Sequence, residues 1–469
     1  MGIGSLTYIH RIGERGAALS LDLKGGHLTD GGDMKMTIRQ SDTSTSIARN
    51  ISDKGGNDQL DAVLSFATPS INRYSRLKFD IGYSLKSRRN DIFTEQGDTL
   101  GAMVTDTMSS GSVSVSDKGV TGRLIYMYSR HSLNMVGGLE LTGQAHDIHS
   151  MRITHDTNYL SFLPFLQLRY TVNPMNQLHV NIVSRQVLPS TNMLQEAATV
   201  VNPTLCVVGN AMLQPSYNHD LSVRWLYNDV ARSRFMVLFA KYEMVDNYLA
   251  TVRNITNTSE GNGMQMVTFR NSEEAEQSFE ALGAYGFPVR LIKSNVNLSS
   301  FLRLSHVPGY YDNQLSSSEV TCWNNSMTIG SNISERLDFV IDLNMSYYSD
   351  ENNYSKEYTA SYWSYSFGGQ LVKRIGRHIK GTLECGYTGY AGEWVSKYNA
   401  VICNMSLSAM MGKNENWELQ LAVNDIFNQN NNFYQSTTEL YLRKTETNVL
   451  KRYFMAKLIY KFNKKTTNE

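Results

Sequence analysis

The sequence predicts an all-β chain, a single transmembrane antiparallel up-and-down β-barrel occupying residues 1–469. Three observations lead there. Apolar and polar residues alternate with period two over long stretches, the signature of a strand with one apolar and one polar face. Short turns alternate with long polar connections, as at the two rims of such a barrel. No run of ~18 apolar residues exists that would cross a bilayer as a helix.

Along the chain, the first strand is expected near Ile3–His10, followed by a short polar turn at Gly13–Arg15. Further short turns are expected at Ser70–Arg73, Asn173–Asn176, Asn228–Arg232, Ser334–Arg336, Gly376–Arg377 and Gly412–Glu415. Between them fall long, polar, irregular connections near Ser87–Lys118, His146–Asp156, Leu188–Tyr217, Thr251–Glu274, Pro308–Ser318, Ser349–Thr359 and Asn428–Val449. In the asparagine-rich stretch NDIFNQNNNFYQ, Asn424–Phe427 are read as finishing the penultimate strand and Asn428–Gln435 as starting the last of these outer loops.

The clearest strand is RLDFVIDLNMSYY. Leu337, Phe339, Ile341, Leu343, Met345 and Tyr347 form one face; Asp338, Asp342, Asn344 and Ser346 form the other, with Val340 out of pattern. WELQLAV sets Trp417, Leu419, Leu421 and Val423 against Glu418 and Gln420. IKGTLECGY sets Ile379, Leu383, Cys385 and Tyr387 against Lys380, Thr382 and Glu384. FMAKLIYKF carries Phe454, Ala456, Leu458, Tyr460 and Phe462 on one face. A propeller would show a repeat of ~40–50 residues, and a string of sandwiches would show turns every ~8–12 residues with linkers between domains. Neither pattern is present.

Composition narrows the function classes. Lys+Arg 44 against Asp+Glu 43 gives a net charge of +1, which points away from nucleic acid. Mean hydropathy is -0.34, compatible with strands that are only half apolar. Tyr 27 exceeds Phe 17, which suits surfaces where a ring meets both apolar matter and water. Cys206, Cys322, Cys385 and Cys403 form no CxxC pair, and the last two read as small hydrophobes in apolar strand positions. The opening MGIGSLTYIHRIGERG lacks the apolar core of a secretory signal.

From Thr157 onward the chain resembles the outer-membrane β-barrel family related to TonB-dependent receptors. The resemblance lies in FLPFLQLRYTVNPMNQLHVNIVSRQVLPS, in GNAMLQPSYNHDLSVRW, in VNDIFNQN and in TNVLKRYFMAKLIYKFN. It covers about two-thirds of the chain. GNAMLQPS is similar to that family's Gly-Asn-Pro-x-Leu-Lys-Pro-Glu motif, with Ala211, Gln214 and Ser216 as departures. The resemblance implies a barrel of ~22 strands around a plug, placed in the outer membrane of a Gram-negative bacterium. About nineteen strands are countable, and nothing matches the plug or an export signal, so an N-terminally truncated barrel is expected.

Its implied partners are outer-membrane lipid, the barrel-assembly machinery, a plug domain and through it the TonB complex, and an extracellular ligand: a chelated metal, a glycan or a peptide. The terminal aromatics Phe454, Leu458, Tyr460 and Phe462 resemble the signal read by the assembly machinery, apart from the tail NKKTTNE. A stand-alone porin-like channel and a surface adhesin or scaffold are the alternatives.

Candidate chemistry follows from the strand faces. Asp338, Asp342, Asn344, Lys380, Glu384, Glu418 and Gln420 are expected to face a hydrated lumen. Tyr310, Tyr311 and Trp323 are candidates for stacking on a ligand in the outer loops, with an interfacial aromatic girdle as the favoured role. His146, His149 and His155 lie in a predicted loop, where a solvated role is expected over a metal site. His219 and Asp220 point to opposite faces, and Ser184, Ser190 and Ser216 have no evident base. No catalytic or cofactor site is expected, and the chain is not expected to be an enzyme.

Overall fold

A computed structural model describes all residues except 1, 14–15, 40–45, 99–102, 203–204, 258–262, 332–335, 354–359, 393–397, 413–415, 431–432, 438–441, 447–448 and 463–469. Parts of the expected turns at Gly13–Arg15, Ser334–Arg336 and Gly412–Glu415, and the tail NKKTTNE, lie outside the described residues.

The elements begin with β1 (Gly2–Ile12), β2 (Ala17–Arg39), β3 (Ser46–Ala67), β4 (Ser75–Asp98), β5 (Val104–Thr105), β6 (Gly111–Arg130), β7 (Leu133–Ser150), β8 (Thr154–Asn173) and β9 (Asn176–Val187). A four-residue helix α1 (Thr191–Leu194) and short strands β10 (Thr199–Asn202) and β11 (Leu205–Val207) follow. Then come β12 (Ser216–Asp229), β13 (Arg234–Asp246), β14 (Leu249–Asn257), β15 (Gly263–Asn271), β16 (Glu276–Val289), β17 (Ser294–Tyr311), β18 (Gln314–Ser331) and β19 (Leu337–Asn352). The chain ends with β20 (Ala360–Ile375), β21 (Ile379–Gly392), β22 (Tyr398–Met411), β23 (Trp417–Asn424), β24 (Phe433–Thr437), β25 (Leu442–Glu446) and β26 (Tyr453–Tyr460). Among the described residues, twenty-four strands form one sheet, and β24–β25 make a separate hairpin.

Contacts divide the chain into two units. The first comprises Met1–Val223, Lys241–Ser278 and His306–Ser318; the second comprises Arg224–Ala240, Phe279–Ser305 and Glu319–Glu469. The divisions between them fall within strands. In the first unit β1, β2, β3, β4, β6, β7, β8 and β9 form an antiparallel meander. In the second, β19, β20, β21, β22, β23 and β26 form another.

Each strand has two chemically different faces where it lies in the apolar band. On β4, Phe79, Ile81 and Tyr83 are exposed, while Asp80 between them is 5% exposed. Register carries the division across the sheet. Phe79 pairs with Phe66 and Leu124, whereas Asp80 pairs with Ser65 and Arg123. With no core on the apolar side, Leu64, Phe66, Ile81, Leu124, Leu139, Leu141 and Phe162 all remain exposed. That is the surface a lipid-facing wall presents.

The connections differ from expectation. Long strands replace the irregular segment Ser87–Lys118, since β4 runs to Asp98 and β6 starts at Gly111. β7 and β8 leave only residues 151–153 between them, in place of a loop at His146–Asp156. Pro308–Ser318 is a tight hairpin whose two central residues, Asp312 (φ 46) and Asn313 (φ 62), adopt the left-handed region that a two-residue turn of mirror-image hand demands. Thr251–Glu274 is largely the antiparallel pair β14–β15.

The physical reason lies in length. β4 has 24 residues, and at ~3.3 Å per residue it runs far past a hydrocarbon layer ~30 Å thick. Beyond the bilayer both faces meet water, so alternation fades while the backbone ladder continues.

Cys385 and Cys403 are directly opposed on β21 and β22 and form a disulfide. The sequence suggested two separate small hydrophobes; register puts them together. Cys206 and Cys322 are free, and burial pushes the Cys206 thiol pKa up, which makes it a slow nucleophile in the folded protein. Alkylating the denatured, unreduced protein should label Cys206 and Cys322 and leave Cys385 and Cys403 linked by mass spectrometry. Four alkylated cysteines without reductant would refute the bridge. Closing a segment of sequence separation 18 contributes ~3 kcal/mol on the chain-entropy model.

Candidate functional site

The polar face of the second unit gathers seven residues expected there. Asp338, Asp342 and Asn344 pair with Val372, Gly368 and Ser366 of β20. Gln370 of that row pairs with Glu384, and Arg374 pairs with Lys380. Lys380 in turn opposes Ser408, which opposes Gln420, and Met410 opposes Glu418. All seven therefore stand on one face, opposite Leu337, Phe339, Ile341, Leu383, Leu419 and Leu421. Asp342 accepts from Thr328 Oγ1 at 2.7 Å, Asp338 accepts from Ser331 Oγ at 2.6 Å, and Glu418 meets Lys461 Nζ at 2.9 Å.

Aromatic candidates are placed differently from expectation. Trp323 is not in a loop: it lies within β18, its ring 6.3 Å from Trp363, which meets Tyr347 in a tilted contact at 4.8 Å. Its Nε1 donates to Ser300 Oγ at 3.1 Å. Tyr310 and Tyr311 end β17, opposite Val252 and Arg253 of β14. Tyr310 is 6% exposed, packed with Ala250 and Val252 under the Arg270 guanidinium, so its ring is not free to stack on a ligand.

The first unit holds a basin on its polar face. Asp61, Asp80, Lys86, Arg123, Glu140, Gln167 and Arg185 are among its lining residues, within a volume of about 820 Å³. Opposite charges are paired both across strands and two residues apart along one strand. Arg123 Nε donates to Glu140 Oε2 at 2.6 Å, and Lys78 Nζ lies 2.9 Å from Asp80. Asp220 joins Arg185 and also Lys241, at 3.2 Å in the second case, and Lys241 joins Glu243. Charge is thus dense but locally balanced.

Further along the same strands lies a buried cluster that periodicity does not reveal. Asp117 accepts from Arg88 Nη2 at 2.8 Å and is hydrogen-bonded to His146 Nδ1. His146 is 0% exposed and Asp117 2%. His146 and His149 fall on opposite faces of β7, and no group of three metal-binding side chains occurs among the described residues. What covers the cluster is the connection from Leu188 to Pro215, which was expected to be a solvated loop. It turns back onto the polar face instead.

One constellation escaped sequence reasoning altogether. His219 Nδ1 lies 2.9 Å from Ser184 Oγ, and His219 Nε2 lies 3.5 Å from Asp246 Oδ2. The partner of Ser184 comes from β12, on the neighbouring strand, so only register exposes it. A hydroxyl, a base and a carboxylate are therefore in line. Ser184 nonetheless sits inside a paired strand, whose backbone N–H groups serve the ladder rather than a developing oxyanion.

The family comparison agrees with this architecture. The model of the outer membrane protein beta-barrel family matches residues 10–374. No curated protein matches the chain in sequence. Among solved structures, the chain is similar to the ferric citrate transporter FecA in its unliganded form, at 9% identity and a TM-score of 0.50, covering 97% of this chain and 61% of that one. The copper transporter OprC matches at 12% identity and a TM-score of 0.39, over 98% and 80% of the two chains. The siderophore receptor PirA from Pseudomonas aeruginosa matches at 11% and 0.37, over 92% and 78%. At such identities the likeness is one of fold. A wall with a lipid-type apolar face, a polar face crossed by ion pairs, and a family match over most of its length make this chain a member of the outer membrane protein beta-barrel family, resident in the outer membrane of a Gram-negative bacterium.

Proposed function

We propose that the chain forms the wall of a TonB-dependent receptor for nutrient uptake, working with a plug domain that couples it to the TonB complex. The observation that carries this reading is the density of cross-strand ion pairs on the polar face, from Arg123–Glu140 to Arg185–Asp220–Lys241. Such a face is suited to hold a folded, polar insert through many balanced contacts. The long outer extensions of β2, β3 and β4 supply surface above the bilayer for capturing a ligand.

The test is accumulation of three labelled probes, a ferric chelate, an oligosaccharide and an oligopeptide, by cells expressing the chain joined to a plug domain, since the wall without its plug is expected to give no energised uptake. Uptake of one probe that stops when the TonB complex is deleted is the expected result. Uptake that persists without TonB and follows concentration alone would replace this reading with a porin-like channel. No uptake of any probe, with the protein shown at the surface, would leave a scaffold or adhesin.

A further inference from the structure

The connection between β9 and β12 is built as a body with its own seat. Leu194, Ala211 and Leu213 are at most 1% exposed and pack with Val113 and Val115 of β6 and Ile148 of β7. Those three wall residues stand on the face that carries Asp117 and His146, where the rest of the wall presents polar groups to water. Apolar residues on a polar face need a cover, and this segment provides it.

Polar contacts fix the segment at both sides. Toward β4, Pro189 O accepts from Arg88 Nη1 at 2.9 Å, and Asn192 Oδ1 accepts from Asn90 Nδ2 at 3.3 Å. Toward the β14–β15 pair, Asn210 Nδ2 donates to Phe269 O at 2.9 Å, and Gln214 exchanges two bonds with the Asn271 side chain at 2.8 and 2.9 Å. β11 also adds to β15 as a parallel strand. Internally, Gly209 N–H donates to Gln195 O at 2.8 Å, and a Cβ at Gly209 would fall 2.4 Å from that oxygen, so only glycine fits the fold-back.

Register places this body directly over the basin. Ser84 and Lys86 of β4 line the basin, and Arg88 and Asn90 of the same face hold the segment. On β6, Thr121 and Arg123 line it, and Asp117, Val115 and Val113 lie under the segment. On β7 the same succession runs from Glu140 and Thr142 to His146 and Ile148.

We propose that residues 188–202 and 205–215 form a built-in stopper that closes the polar basin toward the outer rim and leaves its seat when solute passes. The inference depends on the polar face being the water-filled side, and not on energised uptake.

Single-channel conductance of the full chain in planar bilayers tests it, alongside vancomycin sensitivity of cells expressing the protein. Leu194→Asp with Leu213→Asp unseats the segment, and conductance is expected to rise several-fold with increased vancomycin entry. Unchanged conductance in that variant, inserted and heat-modifiable on a gel, overturns the proposal. A locked variant decides the matter if the first does not insert. An ideal Cβ at Gly111 lies 2.9 Å from Ala197 Cβ, so Gly111→Cys with Ala197→Cys can pin the segment to β6. Oxidised protein is expected to show fewer openings than the same protein reduced, with wild type under the same reductant as the control for Cys385–Cys403. Equal conductance of the two forms overturns the proposal.

Discussion

Replacing Asp117 by alanine should cost the folded protein about 3–5 kcal/mol, the usual consequence of removing one partner from a buried ion pair. The carboxylate is 2% exposed and serves two partners, Arg88 and His146. Truncation leaves a guanidinium without its counter-charge beneath residues 188–202 and 205–215, and His146 Nδ1 without a bond. His146 Nε2 already has no partner, so the imidazole would have none at either nitrogen. The neighbouring pair Lys118–Asp147 is the control, because it sits on the other face of the same two strands with Lys118 51% exposed. Lys118→Ala should cost only about 0–1 kcal/mol, as exposed pairs do. Urea unfolding in detergent micelles, followed by loss of heat-modifiable mobility, gives both numbers. Equal losses would mean that Asp117 is reached by water and that the connection above it does not form a seat.

How much of this was legible depends on which solvent each strand face meets. In β19 the neighbours Asp342 and Leu343 meet different solvents, so alternation is strong and both the strand and its faces could be read from the sequence. The upper part of β4 carries Arg88 and Arg89 on successive, opposite faces. Water or a polar partner lies on both sides there, and the text reads as loop although the ladder continues.

The stopper was hidden for a related reason. Leu194 and Leu213 are nineteen positions apart, and neither belongs to a periodic run. A signal did exist in their seat: Val113, Val115 and Ile148 lie where polar residues should, given the phase of Thr121, Arg123 and Glu140 further down the same strands. Phase carried along a strand from its membrane band would have flagged them. The contacts Ser184–His219 and Cys385–Cys403 needed more, because opposition across strands depends on register, and register is set by connections whose form the sequence left open.

The assignment of faces can be tested at two adjacent residues of β20. Leu371 pairs with Phe339 and Leu383 in the apolar row and is 41% exposed. Gln370, one residue earlier, pairs with Val340 and Glu384 in the polar row. Arginine at Leu371 would force a guanidinium into hydrocarbon at ~2–4 kcal/mol near the bilayer midplane. Arginine at Gln370 would meet water and the Glu384 carboxylate, at little or no cost. Leu371→Arg should therefore lower the yield of heat-modifiable, membrane-inserted protein, while Gln370→Arg should insert like wild type. Both substitutions introduce the same side chain and the same charge, so net charge cannot produce the difference. If Gln370→Arg were the damaging one, the row from Asp342 to Gln420 would face lipid, and its reading as the water-facing side of this meander would fall.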